Sequence, residues 1–135
     1  MDNKTYQKSA LRTNGPDYAG AASRIVGHSK NAELVAPWKM DLLHASMGLV
    51  TEAGEFQDML KKHIFYGREL DTINLKEEVG DLCWYCAIAL NALGSDFESV
   101  MQTNIDKLKA RYPEKFTEDK ANNRDLDTER EILEK

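Results

Sequence analysis

The stretch Lys39-Met40-Asp41-Leu42-Leu43-His44-Ala45-Ser46-Met47-Gly48-Leu49-Val50-Thr51-Glu52-Ala53-Gly54-Glu55-Phe56-Gln57-Asp58-Met59-Leu60-Lys61-Lys62-His63 decides the architecture of this chain. Within it Met40, Leu43, Met47, Val50, Gly54 and Leu60 follow at intervals of three, four, three, four and six residues, with no proline between them. Those intervals are close to the helical period, so one long helix is predicted from Lys39 to His63. It should stop at Phe65-Tyr66-Gly67, where glycine can adopt the left-handed conformation that closes a helix. Working outward, Asp71 is a good N-cap for a second helix reaching Leu93, with Gly94 just beyond it. Ser95-Asp96-Phe97-Glu98 has the capping-box pattern and opens a third helix that ends at Tyr112-Pro113.

The flanks carry weaker signals. Thr5 to Leu11 reads as a short helix, and Asn14 to Ala36, with Gly15-Pro16, Gly20 and Gly27, reads as loop with at most one helical piece. Past Pro113 the chain is charged and Asn-rich, and Glu129 to Glu134 reads as a frayed terminal helix. There is no strand alternation, internal repeat or Gly/Ser linker. The expected fold class is all-α, an antiparallel helical bundle.

Length and charge narrow the possibilities. At 135 residues the chain is predicted to be one domain over 1–135, with a core at about 38–116 and a flexible acidic C-terminal tail. Hydrophobic residues at 41% and charged residues at 30% are globular composition. Eighteen Lys and Arg against 23 Asp and Glu leave −5, which argues against wholesale binding to a nucleic-acid backbone. The longest apolar run, Leu82 to Leu90, is too short for a bilayer. The polar start Met1-Asp2-Asn3-Lys4 has no apolar stretch behind it, so no signal peptide, no membrane association and a cytoplasmic location are expected. Cys83 and Cys86 then read as reduced thiols. Their CxxC spelling lies mid-helix without a second pair, which suits packing better than redox or zinc chemistry.

The second helix carries Leu75, Val79, Leu82, Cys83, Cys86, Ile88, Ala89, Leu90 and Leu93 around most of its circumference. A helix apolar nearly all round must be covered nearly all round. Three substantial helices barely achieve that, so a second copy of the chain is expected to complete the core.

Two acidic pairs carry the chemistry. Glu52-Ala53-Gly54-Glu55 lies on the first long helix and Glu78-Val79-Gly80-Asp81 on the second. Spacing of i, i+3 sets both carboxylates of a pair on one face. The short connection makes the helices antiparallel neighbours, so four carboxylates could converge where their repulsion demands a cation. An all-oxygen set with no His at i+3 favours Mg²⁺, with Mn²⁺ as substitute, over zinc or a ferritin-like di-iron site. Either pair alone reads more readily as a solvated helix face, and it is the conjunction of the two that shifts the balance. A glycine at the same place in both pairs costs about 1 kcal/mol against Ala, and its expected use is close approach of a backbone or ligand.

The faces extend further. His44, Gly48, Glu52, Glu55 and Lys62 form one stripe; Glu78, Asp81 and Tyr85 share a face; so do Asn104, Lys107 and Arg111 on the third helix. Acids opposite amide, ammonium and guanidinium groups suit a metal-bound polyphosphate. Trp84 and Trp38 could stack on a base, although core packing is the plainer role. His28 and His63 fit no metal-ligand spacing.

These segments resemble a known family. His44-Ala45-Ser46-Met47-Gly48-Leu49-Val50-Thr51-Glu52-Ala53-Gly54-Glu55 with Lys61-Lys62 is similar to the first half of the MazG-type nucleotide pyrophosphohydrolases. Glu78-Val79-Gly80-Asp81-Leu82-Cys83-Trp84-Tyr85 and Asn104 to Pro113 resemble the second half. The pattern is ExxE, a spacer from Phe56 to Glu77, then ExxD, and the resemblance covers about Leu42 to Phe116. Tyr6-Gln7, Arg12-Thr13 and Asn123-Arg124 are similar to small phage and bacterial members.

The resemblance implies an all-α fold, a dimer or dimer of dimers, and Mg²⁺-dependent hydrolysis of a nucleoside triphosphate to monophosphate and pyrophosphate. It implies Glu52, Glu55, Glu78 and Asp81 as metal-binding and catalytic acids. Lys62, Asn104, Lys107 and Arg111 would contact phosphates, and Tyr85 and His44 would line the sugar or base pocket. Several relatives carry a further acid just before the first motif; Thr51 stands there, so no fifth acid is carried over. Phosphoribosyl-ATP pyrophosphatase is the same-fold alternative, and a non-catalytic helical module binding nucleotide or a partner is the alternative from another class.

Overall fold

The computed structural model describes residues 1–15, 17, 19–21 and 36–134. Most of the loop expected between residues 14 and 36 lies outside them, His28 included. Among the described residues the chain is all-helical: α1 (Asn3–Leu11), α2 (Pro37–Tyr66), α3 (Thr72–Ala92), α4 (Phe97–Arg111), α5 (Glu118–Asn122) and α6 (Leu126–Leu133). They fall into two compact units, Met1–Ser95 and Asp96–Lys135. No helix among the described residues is long and apolar enough to cross a membrane.

Local chemistry sets the helix ends. Asp2 accepts a hydrogen bond from the Thr5 amide at 2.8 Å and starts α1 two residues before the position read from sequence. Pro37 occupies the first position of α2, where its missing N–H leaves no intrahelical bond unmade. Gly67, at φ 65°, closes α2 in the left-handed conformation, and the Gly67 and Arg68 amides both donate to the Lys62 carbonyl. Asp71 caps α3 by accepting from the Ile73 and Asn74 amides, each at 3.0 Å. The cap of α4 is Asp96, not Ser95. Ser95 still belongs to the preceding turn, its amide donating to the Leu90 carbonyl at 2.9 Å, while Asp96 accepts from Ser99 at 2.8 Å.

In the first unit α2 and α3 pack along each other, and α1 packs on α3. Their direction follows from the contacts. Met59 meets Asn74 near one end, and His44 meets Trp84 and Tyr85 toward the other, so the pair is antiparallel. Helix α1 is tied to α3 by polar contacts. Tyr6 donates to the Gly80 carbonyl at 3.3 Å, and Gln7 donates to the Ser95 carbonyl at 3.0 Å. The Trp84 indole N–H donates to the Ala10 carbonyl at 3.1 Å and the Thr13 hydroxyl at 2.9 Å, which makes Trp84 a fastener of α1. Ala87 and Ile88 are fully buried beneath these helices.

Of the apolar stripe that identifies α2, Met40 is buried, but the run that follows it is not. Leu43, Met47 and Val50 are 42%, 62% and 73% exposed, while Met40, Ala45 and Gly48 are buried. The buried face is the one carrying Ala45 and Gly48, and at Gly48 the missing side chain leaves room for the Tyr85 ring. On α3, Val79, Cys83 and Leu93 stay exposed.

A terminal helix is expected from Glu129, and the second unit has one that begins three residues earlier. Residues 126–133 form α6, which packs on α4, and Glu129 is only 4% exposed. The Arg111 guanidinium donates to its two oxygens at 2.7 and 2.5 Å, and Arg124 donates to the same carboxylate. Two guanidiniums hold the Glu129 carboxyl down at about 2, against an ordinary 4.5. A lowered acid contributes stability above its ordinary range, and that contribution disappears as pH falls from about 4.5 toward 2. Glu129→Gln is expected to melt lower than wild type at pH 7 and to lose less stability on acidification. Thermal melts followed by circular dichroism between pH 7 and pH 3 check both signs.

Candidate metal centre

Two packed helices set the acids. Glu52 and Glu55 stand one turn apart on α2, Glu78 stands in the second turn of α3, and one carboxylate oxygen from each lies within 4.8 Å of the others. Glu78 is 5% exposed, Glu52 half-buried and Glu55 exposed. Burial, then the charge of Glu55, then Glu52 push the Glu78 carboxyl above its ordinary value, while an amide hydrogen bond from Asn74 at 2.8 Å opposes the rise. This acid set has too little positive charge of its own. A hard divalent cation with oxygen ligands fits the donors, and the burial of Glu78 favours one.

Asp81 departs from the expected quartet. It is exposed and is not among the three acids whose oxygens converge. An Asp side chain is one methylene shorter than Glu, and Asp81 stands one turn further along α3. Its charge nevertheless reaches Tyr85, whose hydroxyl is pushed up by burial first, then by Glu52 and Asp81.

Beside the acids lies a cavity of about 480 Å³ lined by Thr51, Gly54, Glu55, Asp58, Met59, Lys62, Asn74 and Glu78. Lys62 is thus at the cavity with Glu55 and Glu78. Its ammonium, like that of Lys61, pairs with Asp58, and the two lysines hold the Asp58 carboxyl at about 2. The Thr51 hydroxyl donates to the Gly48 carbonyl at 3.0 Å.

His44 and Tyr85 form an aromatic group with Trp84. The His44 ring meets the other two edge-on, at 6.1 Å from Trp84 and 5.5 Å from Tyr85, and its Nδ1 is buried with no hydrogen-bond partner. Trp38 is exposed, with the Lys39 ammonium over its ring. Asn104, Lys107 and Arg111 stand on α4 in the second unit, Asn104 exposed and Lys107 half-buried. Arg111, read from sequence as a phosphate ligand, is engaged by Glu129.

Sequence reading missed Asp58 and Asn74. Asp58 continues the three-residue spacing Glu52, Glu55, Asp58, and Asn74 precedes Glu78 by four residues, so both were within reach of the same rule. The backbone half of the glycine expectation needs correction. No described atom lies within 4 Å of a Cβ added at Gly54 or Gly80, so no backbone approaches there. The close approach is at Gly48, where a Cβ would lie 2.1 Å from the Tyr85 ring.

Residues 43–116 match the profile of the MazG nucleotide pyrophosphohydrolase domain, which is more than half of the chain. The chain belongs to the MazG nucleotide pyrophosphohydrolase family. It is also 33% identical over 90 residues to the "Gene 37 protein" of Mycobacterium phage L5, an alignment covering 62% of this chain and 76% of that protein. No solved structure gives a significant match.

The glycines give opposite expectations on one helix. Gly48→Ala gains about 1 kcal/mol of helix propensity but must displace the Tyr85 ring, which packs against His44 and Trp84, at a cost of about 1–3 kcal/mol. Gly54→Ala meets nothing and keeps the gain. Urea denaturation should show Gly48→Ala destabilised and Gly54→Ala stabilised by up to about 1 kcal/mol.

Proposed function

We propose that this chain is a Mg²⁺-dependent nucleoside triphosphate pyrophosphohydrolase, with Mn²⁺ as a substitute, converting a (d)NTP to (d)NMP and pyrophosphate. Nucleotide-pool control or house-cleaning is the role such an activity would serve. The observation that carries the proposal is the convergence of Glu52, Glu55 and Glu78 within 4.8 Å beside a cavity that also holds Lys62. Asp81, one turn further along α3, extends the same acidic face.

Bound Mg²⁺ would supply charge neutralisation for the phosphates and a more acidic water. Glu52, Glu55 and Glu78 would hold the ion, with Glu78 the most buried of the three. Glu55, the exposed member, orients the attacking water and accepts its proton. As the water oxygen bonds to phosphorus, the bond to the leaving pyrophosphate breaks. Lys62 meets non-bridging oxygens once the substrate competes with Asp58 for its ammonium. His44 and Tyr85 flank the sugar or base.

Pyrophosphate release over canonical and modified nucleotides, with and without Mg²⁺, tests the activity. Turnover should require Mg²⁺ and be abolished in Glu78→Gln. Release confined to phosphoribosyl-ATP would reassign the substrate, and Mg²⁺ binding without any release would favour the non-catalytic module.

The second part of the proposal is a homodimer or dimer of dimers, supported by the exposed stripe Leu43, Met47 and Val50 along α2. Light scattering after gel filtration should give a multiple of 15.3 kDa, and Met47→Glu with Val50→Glu should shift it toward the single-chain mass.

A further inference from the structure

We propose that Asn74 is a positioning residue that fixes the Glu78 carboxylate for its divalent cation, an inference that rests on the metal role proposed for Glu78. Asn74 sits in the first turn of α3, where its own amide is held by the Asp71 cap at 3.0 Å. Its side chain reaches one turn onward, and Nδ2 donates to Glu78 Oε1 at 2.8 Å and to the Met59 sulfur at 3.1 Å. Asn74 therefore spans both helices, with its backbone anchored by α3 and its amide steadied from α2. The orientation of that amide follows from chemistry, because an ionised carboxylate only accepts hydrogen bonds and the NH₂ group must face it.

The residue type matters as much as the contact. Glu78 is 5% exposed beside two like charges, so without a donor its carboxylate turns away from them or takes up a proton. A lysine at position 74 would neutralise the acid and compete with a cation, and an aspartate would add repulsion. A neutral amide does neither. It commits one oxygen of Glu78 to a fixed direction and leaves the negative charge in place. Asn74 also lines the cavity with Glu55, Glu78 and Lys62, so the donor acts at the edge of the space where a metal-bound phosphate would lie.

Groups that orient a metal ligand without touching the metal typically contribute about 10- to 100-fold in affinity. Mn²⁺ binding to the nucleotide-free full chain is measured by isothermal titration calorimetry for wild type, Asn74→Ala, Asn74→Leu and Glu78→Gln. Asn74→Ala and Asn74→Leu should both bind Mn²⁺ about tenfold more weakly; Leu fills the volume that Ala leaves empty, so a loss common to both tracks the donor. Both should melt near wild type, because the Asp71 cap is untouched. In pyrophosphate release, excess Mg²⁺ should restore most of kcat in Asn74→Ala. Wild-type Mn²⁺ affinity in both Asn74 variants, with binding lost in Glu78→Gln, overturns the inference and leaves the site reading standing. A kcat deficit that no Mg²⁺ concentration restores, with Mn²⁺ affinity unchanged, overturns it too. Wild-type Mn²⁺ affinity in Glu78→Gln overturns the site reading itself.

Discussion

Glu52, Glu55 and Glu78 bring three like charges within 4.8 Å of one another, and Glu78 has almost no water to screen it. Such a group costs folding energy wherever it occurs, because burial and mutual repulsion both disfavour the charged form. The packing of α2 on α3 must outweigh that cost. It does so through a close contact at Gly48 and Tyr85 and through helix ends closed by Gly67 and Asp71. Polar relief is sparse: an amide from Asn74 to Glu78, a long hydrogen bond from the Thr51 hydroxyl to Glu52 and, at the cavity edge, Lys62 held by Asp58. The first unit thus folds around a group of acids whose mutual repulsion is itself unfavourable.

The helix ends were legible because capping is local chemistry. Asp71, Gly67 and Gly94 act within a few residues, and their effect is written beside them. Glu52, Glu55 and Glu78 were legible for a similar reason, since i, i+3 spacing fixes which side chains share a face. The face that turns inward was not. The regular pattern of Leu43, Met47 and Val50 marks a helix but does not say what meets it, and the inward choice depended on Tyr85, 37 positions beyond Gly48. Asp81 has the spacing of an acid partner, yet its shorter side chain and its place one turn along α3 leave it outside the convergence.

Arg111 shows the same boundary from the other side. Its helical register with Asn104 and Lys107 is a property of α4 alone, and the register is correct. The partner is Glu129, 18 positions downstream in a stretch whose composition resembles a solvated tail. Two arginines share one buried carboxylate, so the cluster itself keeps a surplus positive charge. Helix α6 therefore cannot be treated as a dispensable acidic end, because removing Glu129 would leave Arg111 and Arg124 facing each other without their shared counter-charge.

Helix α2 presents two contact faces with different chemistry. The face toward α3 uses Ala45 and Gly48, residues small enough to leave room for a side chain such as Tyr85. The opposite stripe uses Leu43, Met47 and Val50, residues large enough to interdigitate with another helix, at the alternating three- and four-residue spacing of helix–helix seams. Gly54 continues that stripe by sequence and lines the cavity in space. A second copy of the chain seated on the stripe would therefore border the cavity at a residue with no side chain to obstruct it. Covering the stripe would then also narrow the opening beside Glu55 and Asp58. On that geometry assembly and the enclosure of the acidic site are coupled through one helix, and the glycine between Glu52 and Glu55 is where the two meet.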